Sequence, residues 1–164
     1  MPHYNFPMPA ITADIIIFRF KKPIKPFDFA GQAGNVEVLL VRRAKEPFVD
    51  HWAIVGGHFD VLTDPSILDC AVRELKEETH IEIAAQELIH VGHYDKINRD
   101  PRGRYVTFLY AAECPANAVI QADDDVKEYQ WFNLTDLPRL AFDHHELIAD
   151  FADIFTKEDN DEED

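Results

Sequence analysis

The chain has 164 residues and a formal net charge of −15, with 31 acidic against 16 basic side chains. That length suits one compact domain with its own core, and so acidic a body argues against a broad basic footprint on a nucleic-acid polymer. No apolar run approaches a membrane span and the opening Met1-Pro2-His3-Tyr4-Asn5-Phe6-Pro7 lacks the regions of a signal peptide, so a cytoplasmic protein away from membranes is expected.

Ile11 to Phe20 is rich in β-branched and aromatic residues and reads as a strand, with Ile15-Ile16-Ile17-Phe18 buried on both faces. Lys21 to Asn35 carries Pro23, Pro26, Gly31 and Gly34 and reads as a loop. Val36 to Arg43 is a second strand, joined to the first as a hairpin. Ala53-Ile54-Val55 is a short strand ending at Gly56-Gly57, where glycines let the backbone turn and approach a ligand. A polar loop then runs to Asp64, which suits an N-cap, and Pro65 suits the first helical position. Leu68, Ala71, Val72 and Leu75 form the apolar stripe of a helix ending near His80. Cys70 and Cys114 form no paired-ligand motif and read as packing residues.

Glu87 to Lys96 reads as a strand in which His90 and His93 are ordinary sheet residues. Asn98 to Arg104 is a turn holding Arg99, Arg102 and Arg104. Tyr105 to Ala112 and Glu128 to Phe132 are further strands, with Trp131 and Phe132 assigned to the core. Asp143 and Glu146 fit the cap positions of a last helix, whose apolar stripe is Leu147, Ile148, Phe151, Ile154 and Phe155. Residues 1–156 make one domain. Residues 157–164 are an acidic tail expected to be disordered. Several strands broken by two helices predict a mixed α/β domain with a helix on each side of the sheet.

The chemistry is concentrated on the first helix. Glu74 and Glu78 lie one turn apart, so their carboxylates can point at the same volume. At ~5 Å and an effective dielectric of ~20 two such charges repel by about 3 kcal/mol. An enclosed pair therefore calls for a counter-charge. Arg73 can pair with Glu77 at the four-residue spacing, and a divalent metal could hold Glu74 and Glu78. The plainer alternative is a solvated acidic face.

Gly56-Gly57 followed by Arg73-Glu74-Leu75-Lys76-Glu77-Glu78-Thr79-His80-Ile81 resembles the Nudix box, whose second half reads Arg-Glu-hydrophobic-any-Glu-Glu-any-Gly-hydrophobic. Here His80 replaces the Gly, Pro65 stands at the box's first Glu position, and the loop after Gly57 is two residues longer. The resemblance implies a Nudix-type α/β/α sandwich with a mixed sheet between helices. It also implies metal-dependent hydrolysis of the pyrophosphate bond of a nucleoside diphosphate derivative, with Mg2+ or Mn2+ as the cofactor. Glu74 and Glu78 are then the direct metal ligands, with the carbonyl of Gly57 as a further contact. Glu77 is either a third ligand or the partner of Arg73. A general base comes from a later loop; Glu113, Asp123, Asp124, Asp125 and Glu128 are available, and Glu128 is the choice.

Two stretches, Asp100-Pro101-Arg102-Gly103-Arg104 and Leu140-Ala141-Phe142-Asp143-His144, look like the ADP-ribose-processing branch of that family. Arg102 and Arg104 can grip a diphosphate by paired hydrogen bonds, and His144 can touch substrate. The leading expectation is an ADP-ribose pyrophosphatase releasing AMP and ribose 5-phosphate, active on a small nucleotide and, as relatives often are, a homodimer. The alternatives are a non-catalytic ADP-ribose or nucleotide sensor and a hydrolase of another dinucleotide or nucleotide sugar.

Overall fold

A computed structural model describes residues 3–123 and 125–156. Asp124 and the acidic tail 157–164 lie outside the described residues. The elements are β1 (Ala10–Phe20), β2 (Val36–Arg43), β3 (Trp52–Ala53), β4 (Val55–His58), α1 (Ile67–Thr79), β5 (Ile89–Tyr94), β6 (Tyr105–Glu113), β7 (Val126–Asn133) and α2 (His144–Thr156).

β1 is the spine because its sequence is apolar on both faces. Ala13, Ile15 and Ile17 pack with Cys70, Ala71 and Leu75 of α1. Ile16 and Phe18 pack with Leu147, Ile148, Phe151 and Phe155 of α2. The result is the expected α/β/α sandwich. Burying each large aliphatic or aromatic side chain stabilises it by roughly 1.5–3 kcal/mol, so a polar substitution at Ile15 or Ile17 strikes the centre of the fold.

Seven strands form one mixed sheet. β6 runs parallel to β1 along its length. The other edge of β1 is shared: Phe18–Phe20 pair with β2, and Thr12–Ile15 pair with β4. β2 continues away to pair β3 and β7. β1 thus changes partner between Ile15 and Phe18, and this puts Asp14 opposite Gly56 and Ala13 opposite Gly57.

Several expectations need correction. The glycine pair lies inside β4 rather than after a strand. Helix α1 starts at Ile67, not Pro65, and its cap is Ser66, whose hydroxyl accepts from the Asp69 amide. Asp64 is not the cap because its carboxylate is bound to Arg73. His80 ends the helix with φ 63°, the left-handed position where glycine is favoured. Asp143 precedes α2, and its backbone carbonyl accepts from Glu146 at 2.9 Å, but its carboxylate faces Arg99 instead of capping the helix. Ile154 is 45% exposed and falls outside the apolar stripe. Trp131 and Phe132 are half-buried and pack on opposite clusters.

Candidate active site

The glycine pair and helix α1 build the floor of the site. A Cβ at Gly56 would collide with the Asp14 carboxylate and the Ala13 carbonyl, and one at Gly57 with the Glu74 carboxylate. Only glycine lets these acids come so close. Glu78 Oε2 accepts a hydrogen bond from the Gly56 amide at 3.2 Å. Asp14, Glu74 and Glu78 therefore gather around one short backbone segment.

Their environment disfavours charge. Burial, then the nearby Glu74 and Asp14, push Glu78 up to about 8, against the lowering effect of the Gly56 amide. Burial raises Asp14 to about 6, opposed by a hydrogen bond of 2.5 Å from the Thr107 hydroxyl. Burial also raises Glu74, which Arg73 partly offsets. Clustered hard oxygen donors held in this way fit the chemistry of a small divalent cation. Among the described residues, no group of three or more His, Cys, Asp or Glu forms a ready-made metal cage.

Arg73 ties the floor together. Its Nε and Nη2 donate to Asp64 at 2.7 and 2.8 Å. Its Nη1 donates to Glu74 at 2.8 Å and to Glu77 at 3.1 Å, and Nη2 also reaches the His58 carbonyl at 3.0 Å. The guanidinium holds Asp64 down to about 2. Asp64, the residue before Pro65, is thus paired with Arg73, and the longer loop is strapped to the helix. Glu77 is both Arg73's partner and a lining residue of the cavity.

Above this floor is a cavity of about 420 Å3, lined by Asp14, Glu74 and Glu78 together with Arg43, Arg99 and Arg102. Arg102 is braced by Asp100 at 2.7 and 3.0 Å, and its guanidinium lies over the Tyr105 ring at 4.6 Å. Arg99 makes a bidentate pair with Asp143 at 2.9 and 2.7 Å. Sequence reasoning passed over Asp14, Arg43 and Arg99. A lone Asp in an apolar run and an Arg at a strand end carry no motif.

The remaining expected residues divide. Gly57, Glu74, Glu77, Glu78, Arg102 and His144 line the cavity. His144 is nonetheless a buried structural group: its Nδ1 accepts from the Ile54 amide at 3.0 Å. Burial, then Arg99 and Arg43, push it down to about 3, so it is neutral and carries its proton on Nε2, 4.0 Å from Asp14. Arg104 is exposed, and its carbonyl accepts from Ala10 where β1 begins; it is not among the cavity residues. Glu128 is also outside, paired with Arg42 at 2.9 Å on β7. Asp125, just before β7, does line the cavity and pairs with Lys45. A bulge in the pairing of β7 with β2 breaks the alternation between Val126, which is buried, and Glu128, which is exposed.

Comparison with known proteins gives a consistent setting. The NUDIX domain family model matches residues 24–151. The ADP-ribose pyrophosphatase of Methanocaldococcus jannaschii is 34% identical over 115 residues, 70% of this chain and 65% of its own length. The ADPR responsive transcriptional repressor NtrR of Acinetobacter baylyi is 32% identical over 146 residues, 88% of this chain and 53% of its own length. The chain thus spans between about half and two thirds of these curated relatives. The solved NUDIX domain of Shewanella oneidensis NrtR, complexed with ADP ribose, superposes with a TM-score of 0.74 at 28% identity, covering 92% of this chain and 91% of that one.

Proposed function

This chain belongs to the Nudix family, and from that premise we propose that it hydrolyses the pyrophosphate bond of ADP-ribose to AMP and ribose 5-phosphate, with Mg2+ or Mn2+ held by Glu74 and Glu78. The observation that carries the reading is the convergence of Glu74 and Glu78 on the Gly56-Gly57 segment, at a cavity that Arg43, Arg99 and Arg102 also line. The relative named an ADP-ribose pyrophosphatase and the domain solved with ADP ribose support the choice of substrate.

The physical difficulty is charge. Both phosphates are anionic, they repel an attacking water, and the leaving group gains more charge. A divalent cation, when bound, neutralises phosphate oxygens and acidifies water. The chain does the rest. Glu74 and Glu78 would provide the oxygen ligands, and the Gly57 carbonyl would be a further contact. Arg73 fixes Glu74 through its 2.8 Å hydrogen bond and anchors the loop through Asp64. Arg102, held rigid by Asp100, faces the diphosphate with a guanidinium. Asp125 replaces Glu128 as the proton acceptor of choice, because it borders the cavity and Glu128 does not.

The experiment is product analysis after incubation with ADP-ribose and magnesium. AMP and ribose 5-phosphate are expected, and Glu78→Gln should abolish them with the fold intact. A second reading, an ADP-ribose sensor without turnover, is favoured by the likeness to the ADPR responsive repressor and by Pro65 in place of an acid. Tight binding with no product in excess magnesium or manganese would establish it.

A further inference from the structure

The cavity's cations are unequally satisfied. Lys45 is paired with Asp125, Arg99 with Asp143 and Arg102 with Asp100. Arg43 lines the same cavity, yet among the described residues no carboxylate lies within salt-bridge distance of it. Its one side-chain hydrogen bond among them runs from Nε to the Pro47 carbonyl at 2.8 Å. Its guanidinium lies over the Phe142 ring, 4.9 Å from the centroid. Among the described residues, none accepts a hydrogen bond from the terminal nitrogens Nη1 and Nη2.

The surrounding backbone is shaped to hold it there. Arg43 donates its amide to the His51 carbonyl at 3.0 Å and accepts from the Asp50 amide at 2.9 Å, closing the loop 44–51 upon itself. Within that loop Phe48 has φ 61° and Asp50 φ 67°; in the segment before α2 Phe142 has φ 51°. Non-glycine residues adopt this left-handed region at a cost, and such strain clusters where function fixes a geometry. Phe48 and Phe142 also pack against each other, ring centroids 4.8 Å apart. Two strained aromatic residues from distant parts of the chain thus support one guanidinium. Burial and the neighbouring Arg102 work against the charge on Arg43, while Glu78, Asp100 and Asp14 favour it.

We propose that Arg43 is a substrate-binding residue whose Nη1 and Nη2 donate to phosphate oxygens of the diphosphate. This rests on the proposed reading of the site as one for a nucleoside diphosphate. A guanidinium with Nε already engaged and its face stacked offers its remaining two nitrogens as a planar fork, which suits two phosphate oxygens. The terminal amine of lysine cannot reproduce that fork. Arg43 would thereby act with the already braced Arg102 to supply positive charge to the same cavity.

The test measures ADP-ribose affinity by calorimetry with magnesium chelated, and KM and kcat with magnesium present, for the unaltered protein, Arg43→Ala and Arg43→Lys. Thermal melting reports the fold of each. Arg43→Ala should bind ADP-ribose at least tenfold more weakly, with a matching rise in KM. Arg43→Lys, which keeps the charge and the aliphatic stem, should remain severalfold weaker, and it decides the matter if the alanine variant does not fold. Affinity within twofold of the unaltered protein in a folded variant would overturn the role of Arg43 and leave the pyrophosphatase reading standing. Failure of the unaltered protein to bind or hydrolyse ADP-ribose would overturn that reading, and this inference with it.

Discussion

Asp64 and Arg73 are joined by two parallel hydrogen bonds of 2.7 and 2.8 Å, linking the loop before α1 to the middle of that helix. The pair is well enclosed, with 3% of the Asp64 side chain and 29% of the Arg73 side chain exposed. Hydrogen bonds to charged groups each contribute about 1.5–3 kcal/mol. Asp64→Asn should therefore lower stability by about 2 kcal/mol, and Tm by about 4–8 °C for a domain of this size. The pH dependence has a defined sign. The folded value of Asp64, about 2, lies below its ordinary 3.8, so the stabilisation is full above pH 3.8 and is lost as pH falls through 2. Melting curves from pH 5 to pH 2 should show a steeper acid decline in the unaltered protein than in Asp64→Asn.

The two glycines of β4 should respond differently to alanine. At Gly56 the added Cβ meets backbone, the Ala13 carbonyl and the Asp14 Cα, which cannot step aside. Gly56→Ala should cost about 1–3 kcal/mol of stability, as overpacking does. At Gly57 the nearest atoms it meets are the end of the Glu74 side chain, which can rotate away. Gly57→Ala should melt within a few degrees of the unaltered protein, yet lose most of its turnover because Glu74 is displaced. Melting and steady-state assays on both variants check this contrast.

Glu78 makes stability and cation binding depend on pH in opposite ways. Its folded value of about 8 lies above the ordinary 4.5. In chelator, its contribution to stability is full below pH 4.5 and falls as pH rises through 8. Glu78→Gln removes that decline, so the variant should melt higher than the unaltered protein at pH 9. A divalent cation favours the ionised carboxylate and releases a proton. Manganese affinity, read by calorimetry, should therefore rise with pH until about 8 and then level off.

His144 separates a structural role from a binding one. Its ring is 5% exposed and accepts the Ile54 amide. His144→Ala would leave that amide unpaired, which costs about 1–3 kcal/mol before the cavity left behind is counted. A fall in Tm of at least several degrees is expected, checked by calorimetric melting. A variant that kept its stability but lost ADP-ribose affinity would assign His144 to the ligand instead.

The sequence made the scaffold legible where local signals agreed with packing. The β-branched run of β1 feeds both core clusters; Leu68, Ala71 and Leu75 of the α1 stripe join one, without Val72, and Leu147, Ile148, Phe151 and Phe155 of the α2 stripe join the other. It misled where a side chain had a distant partner. Asp64 before a proline looks like a helix cap, but Arg73 claims its carboxylate and Ser66 caps the helix. Asp143 looks like a cap for the next helix, but Arg99 claims it. Asp14 gave no sign, because its importance comes only from standing opposite Gly56 in the sheet register. The choice between Glu128 and Asp125 turned on where β7 begins and on the bulge in its pairing with β2, and element boundaries are weakly encoded in local sequence.

The most direct measurement is anomalous scattering from crystals soaked in manganese together with nucleotide. The account expects a peak within coordination distance of the carboxylates of Glu74 and Glu78, on the floor of the cavity. No peak beside those two side chains, in crystals where the nucleotide itself is visible, would contradict it.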